Sequence, residues 1–294
     1  GGFPQWNAGG DACGRARRGD PAARPASQAG AAFSADGERW LLVNAAPDLR
    51  AQVEATPALW PKALRHSPIK AVVLTNADVD AVAGLLHLRE GTPFALHAHA
   101  RVLETLDANP IFEVVDRAVV PRLRIEPDVP FLPADAAGEP LGLAVTPFLA
   151  PGKVPLYREG QGAFATDARD GDTLGLVVEH GGRRAVWLAN CAAVDDDVRE
   201  RVGGADLLFM DGTLWRDDEM IAQGVGRKTG RRMGHVSMDG EDGVMARLEG
   251  VPVGRRLFVH VNNTNPAHLA DGPERAELER RGWEMAFDGL EIAL

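Results

Sequence analysis

An α/β sandwich, two β-sheets packed face to face between helices, is the fold class predicted by this 294-residue chain. Three observations predict it. Short apolar, β-favouring runs recur along the whole length. The helical patterns between them are brief, so helices can cover sheets but cannot form a bundle core. The loops that leave the runs are rich in Asp, Asn and His, and such loops are where α/β folds carry their chemistry.

Taken in order, residues 8–31 are Gly-, Ala-, Arg- and Pro-rich and are expected as a long irregular loop. Residues 38–44 form a strand closed by Ala45-Ala46-Pro47-Asp48, and residues 49–56 a short amphipathic helix. The fully apolar residues 70–75 make a strand that ends in Asn76-Ala-Asp-Val-Asp80. A helix is expected over residues 82–89, with Gly84 and two leucines facing the core. Residues 94–97 are a strand and 100–108 a helix. Further strands are expected at residues 141–148, 174–179, 184–188 and 205–209, with a helix at 195–202. Residues 237–248 are expected to be helical, 256–262 a strand and 274–281 a final helix. No repeat is visible, and the one biased stretch is Pro/Ala/Asp-rich, near residues 126–140.

Composition narrows the class. With 45% hydrophobic and 25% charged residues the chain can bury a large core, and residues 1–294 are expected to form a single domain. A net charge of −10 argues against a nucleic-acid partner or an anionic membrane surface. Two cysteines, Cys13 and Cys191, give no disulfide framework. No apolar run approaches the roughly 20 residues that span a bilayer, and no signal peptide is visible. A cytoplasmic protein is therefore the expectation, and a homodimer is allowed. The chain opens Gly-Gly-Phe-Pro without an initiator Met, so residues ahead of Gly1 are expected to be missing.

The candidate site rests on strand ends. In Phe258-Val-His-Val-Asn-Asn-Thr-Asn-Pro266 a buried-strand pattern delivers His260 into an amide-rich turn. A second apolar run delivers Asp211 at its end, followed downstream by Gly234-His235. Asp78 and Asp80 directly precede a helix; they either cap its free N–H groups or, for Asp80, join Asp211 and His260 as ligands of one metal. Two carboxylates and one imidazole with open positions suit Fe(II), Zn(II) or Mn(II). His97 and His99 share a strand face, but nothing else with ligand chemistry lies near them in the sequence. His87 reads as packing, and Cys191 as a small buried residue without an activating base.

The segments Gly1-Gly-Phe-Pro-Gln-Trp-Asn7, Leu74-Thr-Asn-Ala-Asp-Val-Asp80, Gly84-Leu-Leu-His-Leu-Arg-Glu90, Asp211-Gly-Thr-Leu-Trp-Arg-Asp-Asp-Glu219, Gly230-Arg-Arg-Met-Gly-His235 and His260-Val-Asn-Asn-Thr-Asn-Pro266 together resemble the pyrroloquinoline quinone (PQQ) biosynthesis protein B family of the metallo-β-lactamase superfamily. The resemblance spans essentially the whole chain. It implies a metallo-β-lactamase-like αββα sandwich, an active site at the edge between the two sheets, and a first strand ahead of Gly1.

Carried over residue by residue, the superfamily's His-x-His-x-Asp-His loop falls on residues 76–81. Asn76, Asp78 and Ala81 stand where histidines would be, and only Asp80 matches. The third superfamily histidine falls near Lys153, and the bridging aspartate near Asn190-Cys191. One amide or thiol and a protonated lysine do not rebuild a two-zinc site, so a di-zinc hydrolase is disfavoured. His235 resembles the general-acid histidine of related phosphodiesterases; its alternative is a capping or surface histidine. Cys13 stands where relatives carry a three-cysteine zinc knuckle whose partners are absent here.

The activity implied by the resemblance is an iron-dependent oxygenase of PQQ biosynthesis, hydroxylating the tyrosine ring of a cross-linked Glu–Tyr unit cut from a precursor peptide. Its cofactor would be Fe(II), with Zn able to occupy the site in purified protein. The alternative is a non-catalytic carrier that moves PQQ or its precursor toward the periplasm. Arg231, with Arg227, Lys228 and Arg232, is a candidate partner for substrate carboxylates, and Asn263 a candidate substrate contact; a solvated basic loop and a loop-shaping amide are the plainer alternatives.

Overall fold

Alternating apolar residues in the strands dictate the layering. In the computed structural model, which describes residues 2–161 and 165–294, the first sheet contains β1 (Ala31–Phe33), β2 (Trp40–Val43), β3 (Ile69–Leu74), β4 (Ala95–Ala98) and β5 (Arg122–Arg124), in that order. The second contains β6 (Ala144–Leu149), β7 (Leu174–His180), β8 (Arg183–Leu188), β9 (Leu207–Asp211), β10 (Arg255–Val259) and β11 (Glu284–Met285). The neighbours β2–β5 are parallel, as are β8–β11, and antiparallel pairs β1–β2, β6–β7 and β7–β8 complete the sheets.

Side chains alternate between two interiors. Leu41, Val43, Ala71 and Val73 of the first sheet share one cluster with Val145, Leu176, Val178, Trp187 and Val259 of the second. Their chain neighbours Leu42, Val72, Leu74 and Leu96 point outward, and pack against α2 (Leu49–Glu54), α3 (Val79–Val82) and α4 (Ala100–Asp107) after α1 (Asp11–Arg17) has passed. On the far side Val186, Leu188, Leu208, Met210 and Phe258 pack under α5 (Asp196–Val202), with α6 (Glu219–Ala222), α7 (Gly230–Met233), α8 (Val244–Arg247) and α9 (Pro273–Arg280) following. The layers run helix, sheet, sheet, helix. This is the expected sandwich, with strands buried on both faces as near-continuous apolar runs require.

Three expectations are corrected. Residues 8–31 are not one irregular loop: α1 forms within them, because Cys13 and Ala16 pack with Phe3 and Ala23 in a small apolar cluster. Residues 237–248 are helical only over Val244–Arg247, since Gly240 sits at φ 97° and the backbone folds tightly enough at Gly243 that a Cβ would lie 2.3 Å from the Asp239 carbonyl. The helix expected at 82–89 starts earlier, at Val79, and tightens into a 3₁₀ turn over Ala83–Leu88. There the Ala45 carbonyl accepts the Gly84 N–H at 2.8 Å, and a Cβ on Gly84 would lie 2.1 Å from the Ala46 carbonyl, so only glycine permits this approach. The three-residue strands β1 and β5 fall below any sequence periodicity. Gly1, which opens the first family-like segment, lies outside the described residues.

The site edge is where both sheets end their parallel strands. Leu174 N–H donates to the Thr75 carbonyl at 2.8 Å, and Asn76 pairs with Thr173, tying the loop after β3 to the second sheet. The Asn44 side chain, beyond β2, holds Thr75 through its amide and carbonyl at 2.9 Å each.

Candidate metal centre

β9 and β10 run parallel with Val259 beside Asp211, so Asp211 ends one strand and His260 lies one residue beyond the end of the other. Gly212 then lets the two strand ends touch: its N–H donates to the Val259 carbonyl at 2.9 Å, and a Cβ there would lie 2.7 Å from Met238 Cε and 2.9 Å from Phe258 Cβ. This carries Thr213 beneath His260. His260 itself adopts φ 57°, a left-handed conformation rare for a residue with a Cβ and often found at functional positions. His235 arrives from the turn after α7, where Gly234 at φ 83° ends the helix and His235 N–H donates to the Gly230 carbonyl at 2.9 Å.

The ligand atoms of Asp211, His235 and His260 all lie within 4.8 Å of one another. The Asp211 carboxylate is fully buried and receives four hydrogen bonds. Thr213 N–H and Oγ1 donate to Oδ1 at 3.0 and 2.7 Å; Cys191 N–H donates to Oδ2 at 2.8 Å, and His235 Nδ1 lies 2.7 Å from it. Thr213 Oγ1 also lies 3.1 Å from His235 Nδ1 and 2.8 Å from His260 Nδ1. His260 Nε2 faces Asp80 Oδ2 at 2.9 Å. The threonine has one proton to give. It can go to the Asp211 carboxylate or to the His260 carbonyl, which lies 3.1 Å from Oγ1.

Electrostatics follow the same contacts. Burial by itself would push the Asp211 carboxyl up, but the His235 charge and hydrogen bond beside it, with His260 and Thr213, hold it below the ordinary carboxylate range. For His235 burial acts downward and Asp211 upward, and the pair raises it. Asp80 is held low because the His260 hydrogen bond and charge outweigh its burial. Asp78 is the exception: burial and the neighbouring Asp80 charge push it up, against the pull of Lys153. Burial also pushes the Cys191 thiol up, and the thiol donates to the Ala193 carbonyl at 3.0 Å, as fits a small buried residue.

The structure thus gathers Asp80, Asp211, His235 and His260 around one point, with Asp80 touching the group through His260. Asp78 begins α3 without a side-chain capping bond. Asn76 donates from its side chain to Asn190 Oδ1 at 3.0 Å and accepts from Asp78 N–H at 2.9 Å, so two positions aligned with superfamily ligands meet in a single amide–amide hydrogen bond. Neither expected substrate contact touches the cluster. Arg231 pairs with the exposed Asp242 at 3.1 Å, and Asn263 donates to Gln5 and Asn262. His97 is buried between the sheets with Nε2 unpartnered, whereas His99 caps α4 by accepting from Arg101 N–H at 3.4 Å. Thr213 was not anticipated from the sequence; its signal is the Asp-Gly-Thr spacing at a strand end.

A donor set of two imidazoles and one buried, ionised carboxylate fits a divalent transition metal. Two bonds of about 2.0–2.2 Å reach across little less than the observed spread, so small side-chain rotations would close the set. A cation would replace the protons now shared between these groups.

Residues 39–261 match the family model described as "Beta-lactamase superfamily domain". The chain is 51% identical over 293 residues to "Coenzyme PQQ synthesis protein B" of Gluconacetobacter diazotrophicus, covering 99% of this chain and 95% of that protein. A crystal structure of Zn(2+)-bound PqqB from Methylobacterium extorquens matches with a TM-score of 0.96 at 48% identity, covering 100% of this chain and 96% of the other. A diphosphatase from the PhnP family, at 19% identity and a TM-score of 0.66, covers 99% of this chain and 91% of its own, and shares the fold.

Proposed function

Because the chain belongs to the coenzyme PQQ synthesis protein B family of the β-lactamase superfamily, we propose that it is a mononuclear Fe(II) hydroxylase of PQQ biosynthesis acting on the tyrosine ring of a peptide-derived Glu–Tyr unit. The observation that carries this reading is the grouping of Asp211, His235 and His260 within 4.8 Å. Two histidines and one carboxylate are the donor set of non-haem Fe(II) oxygenases, and such iron supplies open coordination positions and the redox chemistry that ring hydroxylation needs. Zn(II), which the M. extorquens relative binds, would suit the same donors and could occupy the site in purified protein.

The geometry favours a different division of roles from the one the sequence suggests. His235 takes the ligand role given to Asp80, and Asp80 becomes the carboxylate that orients His260 through Nε2. The Cys191 and Thr213 N–H groups fix the Asp211 carboxylate in place. Arg231, in α7 just ahead of His235, and Asn263, in the turn after His260, would meet substrate only after leaving their present partners. In the alternative, a carrier of PQQ or its precursor, the Asn76–Asn190 pair marks a centre that has lost its ligands.

The test is anaerobic Fe(II) titration of metal-stripped protein, followed by oxygen uptake on the cross-linked Glu–Tyr unit. One equivalent of iron, lost in Asp211→Asn and His260→Ala, with uptake that follows it, is the expected result. No stoichiometric binding, or turnover that survives both substitutions, rejects the hydroxylase; PQQ binding without iron would then favour the carrier.

A further inference from the structure

Three cations from two parts of the chain, Lys153 on one side and Lys228 with Arg232 on the other, converge on the carboxylate of Glu159. Arg232 Nη2 donates to its Oε2 at 2.9 Å, and Lys228 Nζ lies 3.5 Å from the same atom. Lys153 Nζ lies 3.0 Å from Oε1, though too oblique for a hydrogen bond. The Glu159 and Lys153 side chains are only 12% and 11% exposed, so their charges are largely out of water, whereas Lys228 and Arg232 remain 40% and 42% exposed. A structural ion pair needs one cation. Three gather on Glu159 here, and even with Asp78, the further carboxylate set against Lys153, the cluster is left net positive. That overcharge is what recognition of a further carboxylate requires.

The cluster borders the candidate centre. The Lys153 stem lies against Gly234, where a Cβ would sit 3.0 Å from Lys153 Cγ, and His235 is the next residue. The turn that carries Glu159, Leu156–Gln161, is anchored by polar contacts. The Tyr157 hydroxyl donates to the Ala77 carbonyl at 2.6 Å, in the loop that carries Asp80, and Arg158 donates to Thr105 Oγ1 at 2.7 Å. Leu156 and Tyr157 stay 62% and 42% exposed, so little apolar burial holds the turn in place.

We propose that Lys153, Lys228 and Arg232 form a carboxylate-binding subsite beside the centre, and that Glu159 is its internal occupant, displaced when a ligand carboxylate arrives. The subsite takes a ligand carboxylate in the place of the Glu159 group. It rests on the hydroxylase reading only for which carboxylate ligand is physiological.

The experiment is isothermal titration of the full chain with tricarballylate at low ionic strength, with its uncharged triamide as control. Glu159→Gln removes the internal competitor and is expected to bind tricarballylate at least about tenfold more tightly than the parent; Glu159→Asp, which keeps the charge, is expected to stay near the parent. Adding Lys228→Gln and Arg232→Gln to Glu159→Gln is expected to abolish the gain. If Glu159→Gln folds poorly by circular dichroism, Lys228→Gln with Arg232→Gln in the otherwise unchanged chain decides, with an expected loss of at least about tenfold against the parent. Binding no tighter in folded Glu159→Gln, or a gain that survives loss of both cations, overturns the proposal, as does unchanged affinity in the double variant. The readout needs neither iron nor turnover, so failure here leaves the hydroxylase reading standing, and the converse holds.

Discussion

His260 combines two constraints that one substitution can separate. Its imidazole bridges Thr213 and Asp80, and its backbone sits at φ 57°. His260→Ala and His260→Gly lose the same contacts, but alanine retains the left-handed strain that glycine relieves. After allowance for glycine's looser unfolded chain, the glycine variant should be the more stable by about 0.5–1 kcal/mol in urea denaturation; equal stabilities would mean that the turn relaxes. Thr213 offers a second case. Its hydroxyl touches Asp211, His235 and His260, so Thr213→Val, which keeps the shape, should weaken divalent-metal binding about 10–100-fold while costing about 1–3 kcal/mol in stability. Titration and urea curves on the same preparation check both. The sequence did announce Asp211, His235 and His260, because each follows an apolar run or a glycine-ended turn. It could not announce that Asp80 would reach the group through His260, since a contact across 180 positions depends on how two sheets meet at their edge.

At the level of elements, Gly212 matters because it joins β9 to the turn beneath His260. A methyl group there would meet Met238, Phe258 and the Val259 carbonyl together. Gly212→Ala should therefore part the strand ends, lowering stability by about 1–3 kcal/mol and weakening metal binding in step. A variant that loses stability but binds metal as the parent does would show that the strand ends do not set the site. The long buried strands were legible, because runs such as residues 70–75 admit no other reading. Short elements were not. The helix α1 owes its existence to Phe3 and Ala23, distant in sequence from its own pattern, and the turn before α8 owes its form to Gly240 and Gly243. Local propensity is silent where a handful of residues is decided by what they land on.

For the whole molecule, two buried histidines tie stability to pH. Burial pushes both His97, between the sheets beside Phe131, and His268, stacked on Phe3, down to about 4. A histidine whose folded value lies below its unfolded value of about 6.5 binds fewer protons in the native state. Its stabilisation is complete above pH 6.5 and drains away as pH falls toward 4. Each can contribute a slope of up to about 1.4 kcal/mol per pH unit in that window. In urea denaturation at successive pH values this decline runs against the opposite contribution of His235, whose raised value adds stability as pH falls, so the check is the difference between parent and His97→Gln: the variant should lose less stability from pH 7 to 4.5, and an identical pH profile would refute the assignment. No helix among the described residues is long and apolar enough to cross a membrane.

The sheet margins have a consequence of their own. β1 and β5 are three residues each, β5 is Arg-Leu-Arg, β11 is two residues, and β6 carries Pro147 with its outer side partly taken by Phe131. Among the described residues every border is therefore stunted, charged, interrupted or already engaged, and offers a stranger's backbone few free amides to zip onto. Crowded solutions of this protein should resist fibre growth, because ribbon-like polymerisation has no clean seam from which to start.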